Sequence, residues 1–227
     1  MAHEFLDFFE RDVASFAELI AGVDLNVAVP SCPNWQLRDL AVHLGHVYRW
    51  AQSCIEENAP LERVEPPVPD SLLVEWFKEG ASDLTALLRN SDPQAEIWTF
   101  GPHPRMMSFW SRRQAQETSV HLWDARAAHG RPVPISEELA ADGVAEVFEV
   151  FIPRQLKRGG MNAISPGVRI VLPDGRTFDL GTNVTNQVSG TAGNLLLTLW
   201  HRNPVESLNI DGIAGEVKAA FAQALTP

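Results

Sequence analysis

In the segment QAQETSVHLWDA (114–125), Glu117 and His121 stand four residues apart. On a helix that spacing puts the two side chains about 40° apart on one face. Asp124, three residues beyond His121, shares that face. A carboxylate and an imidazole together suit a borderline divalent cation such as zinc. A third ligand from another helix would leave one coordination position for water or substrate, and Asp124 would accept the proton of the second imidazole nitrogen. A solvated Glu/His pair explains the same spacing equally well. The zincin pattern does not fit, because Gln116 stands where its first histidine belongs and His121 is five residues on, not four.

A second histidine with chemical potential is His43. On a helical wheel with Leu37, Leu44 and Ile55 at the centre of the apolar stripe, His43 falls at its margin, beside Leu40, Val47 and Trp50. A histidine there looks into a cleft or bonds a backbone carbonyl. His46 falls on the opposite side, toward water. Cys54 reads as core packing. Cys32, in a proline loop, shows no basic neighbour that would lower its pKa. His201 and Arg202 end a helix, where cations complement the dipole, and Arg202 has the alternative of facing a cleft between domains.

These residues need helices to position them. Leu6, Phe9, Val13, Phe16, Leu19 and Ile20 predict a helix over about 3–22, and the stripe through Leu37, Leu44 and Ile55 predicts one over about 36–57. The stretch 59–69 holds four prolines and reads as a linker. Asp70 or Ser71 opens a third helix to about residue 90, and a fourth runs over about 106–129, ended by Gly130 and Pro132. Four helices joined by loops predict a bundle.

After Pro132–Pro134 the pattern changes. A helix over about 136–157 opens near Ser136. VRIVLPDGRTFDL (168–180) predicts a β-hairpin around Pro-Asp-Gly. Thr191 caps a helix over about 192–202, and a last helix spans about 212–224. The expected organisation is therefore α+β, with residues 1–133 a four-helix domain and 134–227 a small α+β domain.

Composition narrows the function classes. The 227 residues are 45% hydrophobic and 21% charged, enough for a sizeable core, and the net charge is −11. A field of that sign disfavours nucleic acid and anionic membranes as partners. No apolar run reaches the roughly 18 residues of a membrane helix, and the acidic first residues do not read as a secretory signal. Two cysteines make no disulfide framework, so a cytoplasmic location is expected.

Three stretches carry a family resemblance. VPSCPNWQLRDLAVHLGHVYRWA (29–51), SFWSRRQAQETSVHLWDARAAHG (108–130) and SGTAGNLLLTLWHR (189–202) resemble signature segments of the actinobacterial mycothiol-dependent maleylpyruvate isomerase-like proteins. The resemblance implies a DinB-like four-helix bundle and a smaller domain of sterol-carrier-like shape. It implies a divalent metal, usually zinc, held by His43, Glu117 and His121. Where many family members read His-Glu, this chain has Gln116-Glu117.

The resemblance further implies mycothiol as a thiol cosubstrate and a small electrophile as its target, with isomerase or S-transferase chemistry. Held at the open position, a thiol loses its proton near neutral pH and becomes nucleophilic. Asp124 would orient His121. Arg113 or Arg202 would clamp a substrate carboxylate, and Trp50 would wall the pocket, although core packing also accounts for Trp50 and Trp110. A monomer or homodimer is expected. The competing reading is a non-enzymatic zinc-binding regulatory or small-ligand module, in which His103 or Cys32 completes a closed site.

Overall fold

A computed structural model describes residues 2–227, with side chains from Glu4 onward. The chain divides into two units, Met1–Pro134 and Ile135–Pro227. In the first, four helices run α1 (Ala2–Gly22), α2 (Leu37–Glu56), α3 (Asp70–Arg89) and α4 (Ser108–Ala128). Leu6, Phe9, Phe16 and Ile20 of α1 are buried, as are Leu37, Leu40, Leu44, Ala51 and Ile55 of α2. Burying each large apolar side chain contributes about 1.5–3 kcal/mol, so these two stripes drive the bundle together. Phe9 meets the edge of Tyr48 at 5.2 Å, and Phe16 stacks on Phe77 at 5.0 Å. Gly45 of α2 lies against the Trp76 ring of α3, a contact that any Cβ would block.

The loop before α2 is folded tightly. Val29 N–H donates to Trp35 O at 2.9 Å, and Asp39 Oδ2 accepts the Gln36 N–H at 2.8 Å. Ser31, Cys32 and Trp35 are carried in this loop. The proline-rich linker forms a strap along α2. Trp50 Nε1 donates to Leu61 O at 2.8 Å, and His46 Nε2 lies 2.9 Å from Pro66 O. His46 is therefore not in water: it is 6% exposed, under the strap and 4.8 Å from the Trp76 ring. The wheel sees only its own helix, and the cover comes from elsewhere in the chain. Asp70 does not cap α3 from outside; it sits in the first turn and pairs with Arg38 at 2.6 Å.

In the second unit, the helix expected over 136–157 is interrupted. α5 (Glu137–Glu146) passes through a π-helical turn (Val147–Phe151) into α6 (Ile152–Arg158). Ser136 makes no capping bond; instead Glu137 Oε2 accepts the Ala192 N–H at 2.9 Å, tying α5 to α7 (Ala192–Leu199). Thr191 caps α7 by accepting from Asn194 N at 3.1 Å. The hairpin pairs β1 (Gly167–Val171) with β2 (Thr177–Leu180), and Gly175 at φ +87 closes its turn.

Two further strands were not expected: β3 (Val184–Ser189), parallel to β1, and β4 (Asn209–Asp211), antiparallel to β3. The sheet order is β2-β1-β3-β4. β3 buries Asn186 and Val188, so one of its two buried residues is polar and the apolar alternation is lost. The chain ends with α8 (Ala214–Phe221). Among the described residues, no helix is long and apolar enough to cross a membrane.

Candidate metal centre

α4 carries most of the candidate site. Its buried residues include Arg113, Gln114, Gln116, Thr118, His121 and Asp124, so polar groups line a helix sunk in protein. Buried polar groups cost free energy unless paired, so each invites an account of its partner.

Glu117 and His121, one turn apart on α4, meet His43 of α2. Glu117 Oε1 lies 3.5 Å from His43 Nε2 and 3.4 Å from His121 Nε2. The two imidazole rings are 5.3 Å apart and nearly perpendicular, at 82°. One donor atom from each residue falls within 4.8 Å of the other two.

The reverse sides of His121 and Glu117 are held by hydrogen bonds, and that of His43 faces a carboxylate at longer range. His121 Nδ1 is 3.0 Å from Asp124 Oδ2, and the fully buried Asp124 accepts from Ser31 Oγ at 2.5 Å through its other oxygen. An Nδ1–H donated to Asp124 leaves the Nε2 lone pair facing Glu117 and His43. His43 Nδ1 lies 3.7 Å from Glu65 Oε1, beyond hydrogen-bond range, and that oxygen pairs with Arg63 Nε at 2.7 Å. The Trp35 ring sits 4.9 Å from that of His43. Arg113 Nη2 donates to Glu117 Oε2 at 3.0 Å, which turns the other oxygen, Oε1, toward the imidazoles.

Electrostatics follow from this wiring. Burial alone would push the Glu117 carboxyl up, but the hydrogen bonds of His121 and His43 and the Arg113 charge hold it well below the usual carboxylate range. Burial alone would favour neutral His121, yet Asp124 and Glu117 raise its pKa to about 9. Without a cation, the cluster at neutral pH is a carboxylate beside a protonated imidazole; the Nε2 lone pair becomes available only once that proton is displaced, as a bound cation would do.

The donor set suits a divalent cation. Two imidazole nitrogens and one carboxylate oxygen lie within 4.8 Å of one another, with the opposite atoms of His121 and Glu117 tied back, a donor set that could hold such an ion. Cys32 belongs to a second group, with His121 and Asp124. Its Sγ is 3.8 Å from Asp124 Oδ2, so it stands on the Nδ1 side of His121. The neighbouring triad comprises neither Cys32 nor His103.

The other candidates are placed differently. Arg113 is buried, 3% exposed, with one guanidinium nitrogen on Glu117. That pair anchors the Glu117 carboxylate from within the protein. Trp50 joins an aromatic cluster, 5.6 Å from Trp110 and 6.2 Å from Phe100. Cys54 is buried, and burial raises its pKa. Arg202, in the second unit, donates to Trp200 O at 2.8 Å just past the end of α7. Glu65, Ser31 and Gln114 were not singled out from the sequence. Glu65 and Ser31 lie in loops without periodicity, whereas Gln114 carried a signal, three residues before Glu117 and seven before His121.

A family profile described as the mycothiol maleylpyruvate isomerase N-terminal domain matches residues 9–126. A second, described as the MDMPI C-terminal domain, matches residues 138–220. No curated protein matches the sequence. The crystal structure of the mycothiol-dependent maleylpyruvate isomerase is similar at 13% identity and TM-score 0.73, covering 95% of each chain. A histidine-to-alanine mutant of that enzyme is similar at 14% identity and TM-score 0.68, again over 95% of each chain. At such identity the likeness shows the α+β fold.

Proposed function

The chain belongs to the mycothiol maleylpyruvate isomerase family, and from that premise we propose that it is a metal-dependent enzyme that uses mycothiol to isomerise, or transfer the thiol to, a small electrophile. The observation that carries this reading is the convergence of His43, Glu117 and His121, three donors among the described residues, with Glu117 and His121 held from behind by Arg113 and Asp124. These three would hold a divalent cation, zinc first. Bound there, the ion supplies a Lewis acid that favours thiolate over thiol at neutral pH.

The chain's own residues prepare that chemistry. Asp124 holds the His121 proton on Nδ1 and so keeps the Nε2 lone pair available. Arg113 fixes the Glu117 carboxylate, so that Oε1 stays toward the imidazoles. Glu65 stands behind His43 as Asp124 stands behind His121, though at longer range. Cys32 Sγ faces Asp124 and Cys54 is core, so the nucleophilic sulfur comes from outside the chain. In an isomerisation that sulfur adds to one carbon of a cis double bond, the electron pair moving onto the conjugated carbonyl. The former double bond rotates, and the returning pair expels the sulfur to leave the trans isomer. In a transfer the adduct is protonated and the sulfur stays.

The test is an activity assay with mycothiol and maleylpyruvate. Turnover is expected to need added thiol, to fall at least 100-fold in His121→Ala, and to survive in Cys32→Ser/Cys54→Ser. Full turnover without thiol, or wild-type rates in His121→Ala, contradicts the reading.

A further inference from the structure

Gln114 is 1% exposed, and neither Oε1 nor Nε2 of its side chain has a hydrogen-bond partner among the described residues. Leaving both ends of a buried amide unpaired is costly, and native interiors rarely do it. Its place in the fold gives that amide a use. On α4, Gln114 lies about 60° from Glu117 and about 20° from His121 around the helix axis, one turn before Glu117. Residues on either side of it along α4 meet α2: Trp110 faces Trp50 at 5.6 Å, Thr118 Oγ1 is 2.8 Å from Tyr48 Oη, and Glu117 reaches His43 at 3.5 Å. By helix geometry Gln114 therefore falls on the α2-facing side of α4, one turn from Glu117 and one turn from Trp110.

We propose that the Gln114 amide is a substrate-binding group, whose Nε2 donates to a carboxylate or keto oxygen of a small unsaturated oxo-acid with its reacting double bond at the cluster. The inference rests on the function proposed above and names the group that would read the electrophile. A donor of this kind suits the site. The amide is neutral, so it does not compete with a cation for the Glu117 carboxylate. It is also fixed to the same helix as two of the three donors, so the distance between recognition and reaction is set by α4 itself. An oxygen acceptor there satisfies a donor that the protein leaves unmatched.

The experiment compares wild type with Gln114→Leu and Gln114→Met, each loaded with zinc, by thermal melting and by separate titrations with maleate and with N-acetylcysteine. Both variants are expected to melt at or above the wild-type temperature, because each removes a buried amide that has no partner in the free protein. Maleate affinity is expected to fall about tenfold, the cost of one hydrogen bond, while N-acetylcysteine binding stays within twofold. Unchanged maleate affinity, a wild type that does not bind maleate, an equal loss for both probes, or melting several degrees lower in both variants overturns the inference. Separately, a wild type that binds maleate yet never turns over maleylpyruvate with mycothiol defeats the proposed function, while the maleate comparison still decides the role of Gln114.

Discussion

Two polar clusters among the described residues, each built around buried side chains, have opposite character. In the second unit, Asn186 of β3 is 3% exposed, and its neighbours use its amide fully: Nδ2 donates to Glu216 Oε2 at 2.9 Å and Thr185 Oγ1 at 3.2 Å, and Oδ1 accepts from Ile213 N at 2.7 Å. That cluster stitches β3 to the start of α8 and closes on itself. In the first unit, Glu117 and His121 are tied on their outer atoms by Arg113 and Asp124, while Glu117 Oε1 faces His43 Nε2 and His121 Nε2 at 3.4–3.5 Å. A closed network specifies structure; one whose donor atoms converge on a shared point is arranged to receive something.

The sharpest way to separate the two is to loosen what stands behind the imidazoles. Asp124→Asn is expected to weaken metal affinity about 100-fold, because an amide no longer enforces the His121 tautomer. Glu65→Gln, whose partner distance is 3.7 Å, is expected to cost less than tenfold. Metal titration against a competing chelator reads both, and equal losses would remove the asymmetry between the two histidines.

Asn186→Ala probes the other cluster. It strands the Ile213 N–H and the Glu216 carboxylate, and about 2 kcal/mol of stability is expected to go with it. Denaturant unfolding measures that loss. Metal affinity is expected to stay within twofold, and a linked loss of metal would show that the Asn186 cluster is not purely structural.

A third contrast is a pH dependence carried by the metal-free protein. The His121 pKa rises from 6.5 to about 9 on folding. A raised pKa stabilises the fold fully below 6.5, and that contribution disappears as pH climbs through 9. Metal-free protein is therefore expected to lose on the order of 3 kcal/mol over that window. Metal-loaded protein, with His121 already neutral, is expected to change far less. Parallel thermal melts across pH check this, and identical slopes with and without metal would contradict it.

The same contrast explains what was legible in the sequence. α1 and α2 bury one stripe each, so periodicity finds them, and the spacing of Glu117, His121 and Asp124 follows from helix geometry alone. β3 escapes because Asn186 occupies an inward position that Glu216 and Ile213, far along the chain, help make tolerable. His46 is misplaced by its wheel because Pro66 and Trp76 come from other segments. Glu65 has no local signature: a carboxylate between prolines gains its place behind His43 only when the strap folds along α2. Local periodicity reports an element's own faces, and nothing in it reports a cover supplied by distant chain.

Elemental analysis of freshly purified, unchelated protein beside a His43→Ala/His121→Ala double variant tests the central claim most directly. The convergence of His43, Glu117 and His121 predicts about one zinc or similar divalent ion per wild-type chain, and close to none in a double variant that keeps its helical circular-dichroism spectrum. Wild-type protein without divalent metal, or equal metal content in the two, would contradict it.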